Sequence, residues 1–132
     1  MTLVDTNVLL DILTDDPNWA DWSLRQMDRA ATRGIIVIND IVYAEVSVRF
    51  PTIEACDAGL RILGVTILAT PKAALFHAGK IYQRYRAAGG TRTGVLSDFF
   101  IGAHATVADL ALLTRDARRY GFYFPTIDLI TP

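Results

Sequence analysis

Four acidic residues stand where the surrounding sequence predicts buried structure. Asp5 ends the apolar segment Leu3–Val4, and Asp116 comes shortly after a second apolar run at residues 110–113. Glu45 and Asp98 each occur in a segment whose helical neighbours are mainly apolar. Buried carboxylates without partners are strongly disfavoured, and several together repel one another. Such a group therefore requires protonation, basic partners or a divalent cation.

Of these three possibilities, a divalent cation is the one that would give the acids a catalytic role. Carboxylate oxygens are hard ligands that suit Mg²⁺, with Mn²⁺ as a substitute, and both ions also bind phosphate oxygens. Each acid has a structural interpretation as well. Asp5, Asp98 and Asp116 would cap helices, and Glu45 would pair with Arg49 one turn later. Any one acid fits those roles, but four acids in these places favour a metal-binding cluster.

The elements that must position these acids alternate between strands and helices. The apolar runs predict strands at residues 2–5, 35–38, 65–68, 110–113 and 127–130, the last at a sheet edge. Helices are predicted at 7–14, 17–33, 40–49 and 51–63, then from Pro71, from Ser97 as cap to about 107, and at 116–120. This alternation indicates a mostly parallel sheet with helices on both faces. Asp5 and Asp116 would then lie on the same side of the sheet.

The composition excludes several classes of protein. The chain has 132 residues, of which 52% are hydrophobic and 20% charged, so we expect one folded domain over residues 1–132 and no disordered tail. No apolar run is long enough to span a bilayer, and the N-terminus does not resemble a signal peptide. Cys56 is the only cysteine, which excludes internal disulfides and cysteine-based zinc sites. We therefore expect a cytoplasmic protein.

Charge is unevenly distributed along the chain. Residues 1–66 hold five arginines and ten acids, whereas residues 67–132 hold eight basic residues and four acids. An acidic metal pocket beside a basic phosphate-binding face would produce this asymmetry, but two solvated faces would produce it equally well. Other conspicuous residues are interpreted as packing: His104 does not share the helix face of Asp98, and Cys56 is read as a small apolar filler.

Four segments around the acids resemble the four motifs of the PIN-domain nucleases. They are Val4-Asp5-Thr6-Asn7, Ala44-Glu45-Val46, Ser97-Asp98-Phe99-Phe100-Ile101-Gly102-Ala103-His104-Ala105 and Leu113-Thr114-Arg115-Asp116. The closing segments Phe124-Pro125 and Leu129-Ile130-Thr131-Pro132 resemble the end of the VapC-type toxins within that family. The resemblance covers the whole chain in order. It implies a PIN-like three-layer α/β/α sandwich with a mostly parallel central sheet.

The resemblance also implies roles for individual residues. Asp5, Glu45, Asp98 and Asp116 would be catalytic, supported by Asn7 and Thr114. The three aspartates would be direct ligands of Mg²⁺, and the glutamate a ligand or an outer-sphere base. Asp109 departs from the family pattern, which has glycine or a small polar residue there, but it falls on a turn and should be solvated.

The implied reaction is metal-dependent hydrolysis of RNA phosphodiester bonds. Six arginines in the second half of the chain are candidates for contacts to the RNA backbone, although a solvated surface explains each equally well: Arg84, Arg86, Arg92, Arg115, Arg118 and Arg119. The resemblance to VapC-type toxins further implies a homodimer that is held inactive by a small antitoxin. Trp19 and Trp22, at helical spacing, would then belong to the core or to a partner interface.

Other functions are compatible with parts of the pattern. A PIN nuclease of RNA processing would carry the same acids without a toxin role, and a PIN fold kept only for binding would not need all four. A receiver-like signalling domain needs a lysine near the last strand, yet Lys72 and Lys80 are the only lysines and lie in mid-chain. A haloacid-dehalogenase-type phosphatase needs an acid two positions after its nucleophile, where this chain has Asn7.

Overall fold

The structure, a computed structural model, describes residues 1–132 and contains one five-stranded sheet. The strands are β1 (Thr2–Val4), β2 (Ile36–Asn39), β3 (Val65–Leu68), β4 (Ala111–Leu113) and β5 (Leu129–Ile130). Their spatial order is β3-β2-β1-β4-β5, and every neighbouring pair is parallel. The predicted parallel sheet is confirmed, with the last strand at its edge.

Seven helices connect and flank these strands. They are α1 (Thr6–Leu13), α2 (Ala20–Arg33), α3 (Asp40–Ser47), α4 (Ile53–Ile62), α5 (Lys72–Ala87), α6 (Val95–Val107) and α7 (Ala117–Tyr123). Together with the sheet they form the expected three-layer α/β/α sandwich. None of the helices combines the length and the apolar character needed to cross a bilayer.

The central strands form the middle of the core. Leu3 and Val4 of β1 are fully buried, and Ile36–Ile38 of β2 are at most 4% exposed. A continuous apolar strand is the form that a parallel sheet requires when both of its faces are covered. β1 therefore delivers Asp5 from the core directly into the N-terminus of α1.

One helix begins earlier than the sequence predicts. We expected Ser97 to cap α6, but the helix starts at Val95, and Ser97 Oγ donates to the Gly94 carbonyl (3.4 Å) from within the first turn. Val95 is 3% exposed, so its burial anchors an additional turn. The suggestion that Asp98 caps this helix is therefore wrong, because Asp98 lies inside it.

Helix α6 packs closely against Phe124 on one side and against the end of β2 on the other. A Cβ atom added to Gly102 would lie 2.3 Å from the Phe124 ring, so only glycine permits this approach. On the other side, Nδ1 of the fully buried His104 lies 3.3 Å from Nδ2 of Asn39, at the end of β2. His104 thus packs within the fold as expected. These contacts fix the helix that carries Asp98.

Candidate active site

Asp5 lies at the C-terminal edge of β1 and caps α1. Its Oδ1 accepts a hydrogen bond from the Thr6 backbone N–H (2.7 Å), and its Oδ2 accepts from Thr114 Oγ1 (2.7 Å) and Asn7 Nδ2 (3.2 Å). Its side chain is nevertheless buried, with the residue 4% exposed. Burial, reinforced by the nearby charge of Asp98, raises the pKa of Asp5 to about 6. Capping is confirmed for Asp5, yet it does not remove the cost of the buried charge.

Asp98 and Asp116 are brought together by Arg119. The Arg119 guanidinium forms an ion pair with Asp98, and its Nη1 lies 3.7 Å from Asp116 Oδ2. The Arg119 backbone N–H also donates to Asp116 Oδ1 (3.1 Å), so Asp116 caps α7. Burial raises the pKa of Asp98 although Arg119 opposes that shift. A positive charge from α7 thus lies between two of the predicted metal ligands.

Thr114 connects the acids of two neighbouring strands. Its fully buried hydroxyl donates to Asp5 Oδ2 and accepts a hydrogen bond from the Asp116 backbone N–H (3.0 Å). Asn7 spans the same gap, because its Nδ2 donates to Asp5 and its Oδ1 accepts from the Arg115 backbone N–H (3.2 Å). Both residues that the sequence suggested as polar support therefore contact the acids or the loop between them.

Glu45 approaches the cluster from α3. Its Oε1 accepts a hydrogen bond from Thr6 Oγ1 (2.7 Å), and its side chain is half-buried. No ion pair joins it to Arg49, so that structural interpretation is wrong. Thr6 follows Asp5 directly and was not identified from the sequence, although its position beside the acid was a usable signal. Thr6 thus links Glu45 to the end of β1, where Asp5 lies.

Tyr120 is a second residue that sequence reasoning missed. Its fully buried hydroxyl lies beside Asp5 and Asp98, without a hydrogen bond of good geometry to either. Burial and the neighbouring charges of Asp5 and Asp98 hold its pKa well above the ordinary value of 10.0. It therefore stays protonated and keeps an O–H donor beside the carboxylates. Its place in α7, one turn after Asp116, was the signal that could have revealed it.

The donor chemistry of this cluster fits a hard divalent cation. The available ligands are carboxylate oxygens. The pKa values of Asp5 and Asp98 are raised, and the Tyr120 hydroxyl lies beside them. The acids are too far apart to form a complete ion site, because no three His, Cys, Asp or Glu side chains are gathered closely enough to hold an ion. Arg119 supplies positive charge there instead. An incoming cation would have to take over that role.

An open groove of about 560 Å³ extends from Asp116 over the surface of α7. Three arginines line it, namely Arg92, Arg118 and Arg119, together with the aromatic rings of Tyr85, Phe122 and Tyr123. Arg84 lines an adjoining groove of about 380 Å³ that shares these three rings. Arg86 is exposed and lines neither of them.

Arg115, also suggested as an RNA contact, is engaged within the protein. Its guanidinium donates to both carboxylate oxygens of Asp11, at 2.8 and 3.0 Å, and lies 5.0 Å from the centre of the Trp19 ring. Asp11 is 3% exposed and accepts a further hydrogen bond from Ser23 (2.7 Å). The structure therefore favours fastening of the β4–α7 loop as the role of Arg115. Asp109, by contrast, is exposed on its turn, as expected.

Solved structures with the same fold come from several bacteria. The chain is similar to a chain of VapBC2 from Rickettsia felis bound to a DNA fragment from their promoter (TM-score 0.75, 19% identity, 99% of this chain and 98% of that chain covered). It is also similar to a chain of VapBC-1 from nontypeable Haemophilus influenzae (0.72, 16%, 98% and 96%) and of a toxin-antitoxin complex from Klebsiella pneumoniae (0.68, 21%, 100% and 98%). At these identities the likeness concerns the fold.

Sequence comparison identifies the family. No curated protein sequence matches the chain significantly. The sequence profile of the PIN domain, however, matches residues 2–124 and so includes all four acids and the arginines of the groove. Together with the parallel sheet that places Asp5 and Asp116 at one edge, this match shows that the chain belongs to the PIN domain family.

Proposed function

We propose that this protein is a metal-dependent endoribonuclease that hydrolyses RNA phosphodiester bonds. The observation that carries the proposal is the approach of Asp98 and Asp116, joined through Arg119, to Asp5 at the C-terminal edge of the sheet, next to an arginine-lined groove. In open α/β folds this edge is where ligands bind. The acids suit Mg²⁺, or Mn²⁺ as a substitute, and the arginines suit the phosphates of a nucleic acid.

Each residue of the cluster has a chemical task in this proposal. Asp5, Asp98 and Asp116 would hold the cation, and Thr114 and Asn7 keep Asp5 in place through their hydrogen bonds. When bound, the cation would lower the pKa of a water molecule and offset charge on the phosphate. Glu45, oriented by Thr6, is suited to accept a proton from a water in the outer sphere.

Two further residues are suited to contact the phosphate. Tyr120 retains its proton beside Asp5 and Asp98, so its hydroxyl can donate to an oxygen placed among the acids. Arg119 can exchange its ion pair with Asp98 for one with a phosphate oxygen, because a guanidinium binds both groups well. The entering cation would then supply the positive charge that Arg119 gives to the acids in the metal-free protein.

The test is cleavage of mixed cellular RNA in Mg²⁺, Mn²⁺ or EDTA, with the cut ends mapped. We expect cleavage with either metal, none in EDTA, and none from Asp98→Asn, whose polar side chain keeps the size of the native one. Arg86→Ala is the matched control, since Arg86 is exposed and lies outside the groove. Cleavage by a well-folded Asp5→Asn, Asp98→Asn, Asp116→Asn triple variant at the wild-type rate would refute the proposal.

We further propose that the nuclease is the toxin of a toxin–antitoxin pair and acts as a homodimer. Support comes from the similarity over the whole chain to solved VapBC complexes and to a chain described as part of a toxin-antitoxin complex. Expression alone should then halt growth, and a small protein encoded beside it should restore growth by forming a stable complex. Sedimentation should report a dimer. If the protein is harmless, monomeric and captures no such neighbour, the toxin role is excluded and a nuclease of RNA processing remains.

A further inference from the structure

Three aromatic side chains form a ridge between the groove at Asp116 and the adjoining groove at Arg84. We call Tyr85, Phe122 and Tyr123 the aromatic ridge. The ring centres of Phe122 and Tyr123 are 4.8 Å apart and those of Tyr123 and Tyr85 are 6.3 Å apart, each pair edge to face. These three rings line both the larger groove at Asp116 and the adjoining one.

The ridge is exposed at one end and anchored at the other. Phe122 is 77% exposed and lies directly beside Arg118 and Arg119 in the lining of the larger groove. Tyr123 packs edge to face on the buried Phe99 of α6, with ring centres 4.8 Å apart, and the Tyr85 hydroxyl accepts a hydrogen bond from the Arg92 backbone N–H (2.8 Å). A rigid base therefore supports a freely accessible aromatic face.

The charges around the ridge are positive. Arg92 and Arg118 line the larger groove and Arg84 the smaller, and all three are exposed with no ion pair to an acid. Asp116, at the end that meets the carboxylate cluster, is the only acid that lines either groove. Exposed aromatic faces within a basic groove are the combination that binds single-stranded nucleic acid, because bases stack on the rings and phosphates pair with the arginines.

We propose that the aromatic ridge is a nucleobase subsite for unpaired RNA, in which a base next to the cleaved bond stacks on Phe122 and the adjacent phosphates contact Arg118 and Arg84. This inference rests on the proposed nuclease function, which requires a phosphate at the acids and hence neighbouring nucleotides in the grooves that adjoin them. A base within a duplex is stacked on its own neighbours and cannot reach the ring. The subsite at Phe122 would therefore accept only an unpaired base.

Binding of RNA in EDTA tests the subsite without any cleavage. The probe is a fluorescent, unstructured single-stranded oligoribonucleotide, compared with the same strand annealed to its complement. We expect Phe122→Ala to weaken single-strand binding about tenfold, as the loss of one stacked base would. Phe122→Trp should restore it. The matched control is Phe76→Ala, which removes a ring that is 68% exposed but lies outside both grooves, and it should bind like the wild type.

Abasic substitutions locate the stacked base. In a series of oligonucleotides that each lack one base, the effect of Phe122→Ala should disappear at a single position. Arg118→Ala should lower the slope of log affinity against log salt by about 0.7, as expected for one phosphate contact on a single strand. Circular dichroism and melting curves establish that the variants are folded.

The outcomes separate this inference from the proposed function. If Phe122→Ala binds single strands as tightly as Phe76→Ala does, or if duplex RNA binds equally well and with equal sensitivity to Phe122, the subsite is refuted even where cleavage is observed. Loss of binding to a partner protein with unchanged RNA binding would refute it too, in favour of a protein interface. If binding depends on Phe122 but no metal supports cleavage, the subsite stands and the nuclease function falls.

Discussion

Arg115 and Asp11 form a two-pronged ion pair that joins the loop after β4 to α1, 104 residues away in the chain. Asp11 is almost fully buried, and the arginine also packs over Trp19. The pair thereby fastens the loop that carries Asp116 to the helix that begins at Asp5. Positioning of the acids depends on this contact as well as on the strands.

We expect Arg115→Ala to destabilise the protein by about 1–3 kcal/mol, because the buried Asp11 carboxylate then keeps only its hydrogen bond from Ser23. Urea unfolding measures the change. Arg118→Ala is the control: its side chain is exposed and unpaired, so its effect should stay within about 0.5 kcal/mol. Equal stability of the two variants would show that the ion pair contributes nothing, and a double-mutant cycle with Asp11→Ala would isolate its coupling energy.

The stability of the metal-free protein should depend on the protonation of Asp5. Its pKa is raised from 3.8 to about 6 in the folded state, so the folded protein binds the proton more tightly than the unfolded chain does. Its contribution therefore favours folding most at low pH, is lost as pH rises from about 4 to about 6, and levels off above that. The difference is about 3 kcal/mol.

Asp5→Asn isolates that contribution, because asparagine does not titrate. In EDTA the variant should be more stable than the wild type at pH 7, and the free energy of unfolding should fall less between pH 4 and 6. Denaturant unfolding at a series of pH values provides the comparison. Parallel pH profiles for the two proteins would contradict the assignment of this titration to Asp5.

Divalent cations should stabilise the native state, since the carboxylates come together only there. A ligand at one hundred times its dissociation constant adds about 2.7 kcal/mol, which is visible as a rise in melting temperature with Mg²⁺ or Mn²⁺. Asp98→Asn should lose most of this rise. Arg119→Ala should enlarge it, because the cation no longer competes with the guanidinium at Asp98 and Asp116. A melting temperature of Arg119→Ala that is indifferent to both metals would argue against the cation site.

Gly102→Ala should destabilise the protein by about 1–3 kcal/mol, although alanine is the better helix former. The added Cβ would lie 2.3 Å from the buried Phe124 ring, so α6 or the ring must move. Gly79→Ala, in α5 and with open space around it, is the matched control and should be neutral or stabilising. Equal changes in the thermal stability of the two variants would contradict the close packing of α6 against Phe124.

Much of the fold follows from short-range patterns. The switch from an apolar run to helical spacing at Asp5 and the β-branched run at 35–38 identify the central strands, because a buried parallel strand needs apolar residues on both faces. Strand β3 was predicted at its observed bounds, Val65–Leu68. The approach of Asp5 to the Asp116 loop was also predictable, since parallel strands end at a common edge. The sequence thus predicts the strands and the edge of the sheet at which they end.

Only the tertiary structure shows which partner each arginine contacts. Arg115, Arg118 and Arg119 are neighbours in sequence and alike in type, yet one pairs with buried Asp11, one is exposed in the groove and one lies between Asp98 and Asp116. The same holds for Tyr120. The pKa of its hydroxyl is raised by burial and by the charges of acids that come from other elements. The interaction energy of a charged group depends on its distance from other groups and on their burial, and both are set when distant segments pack together.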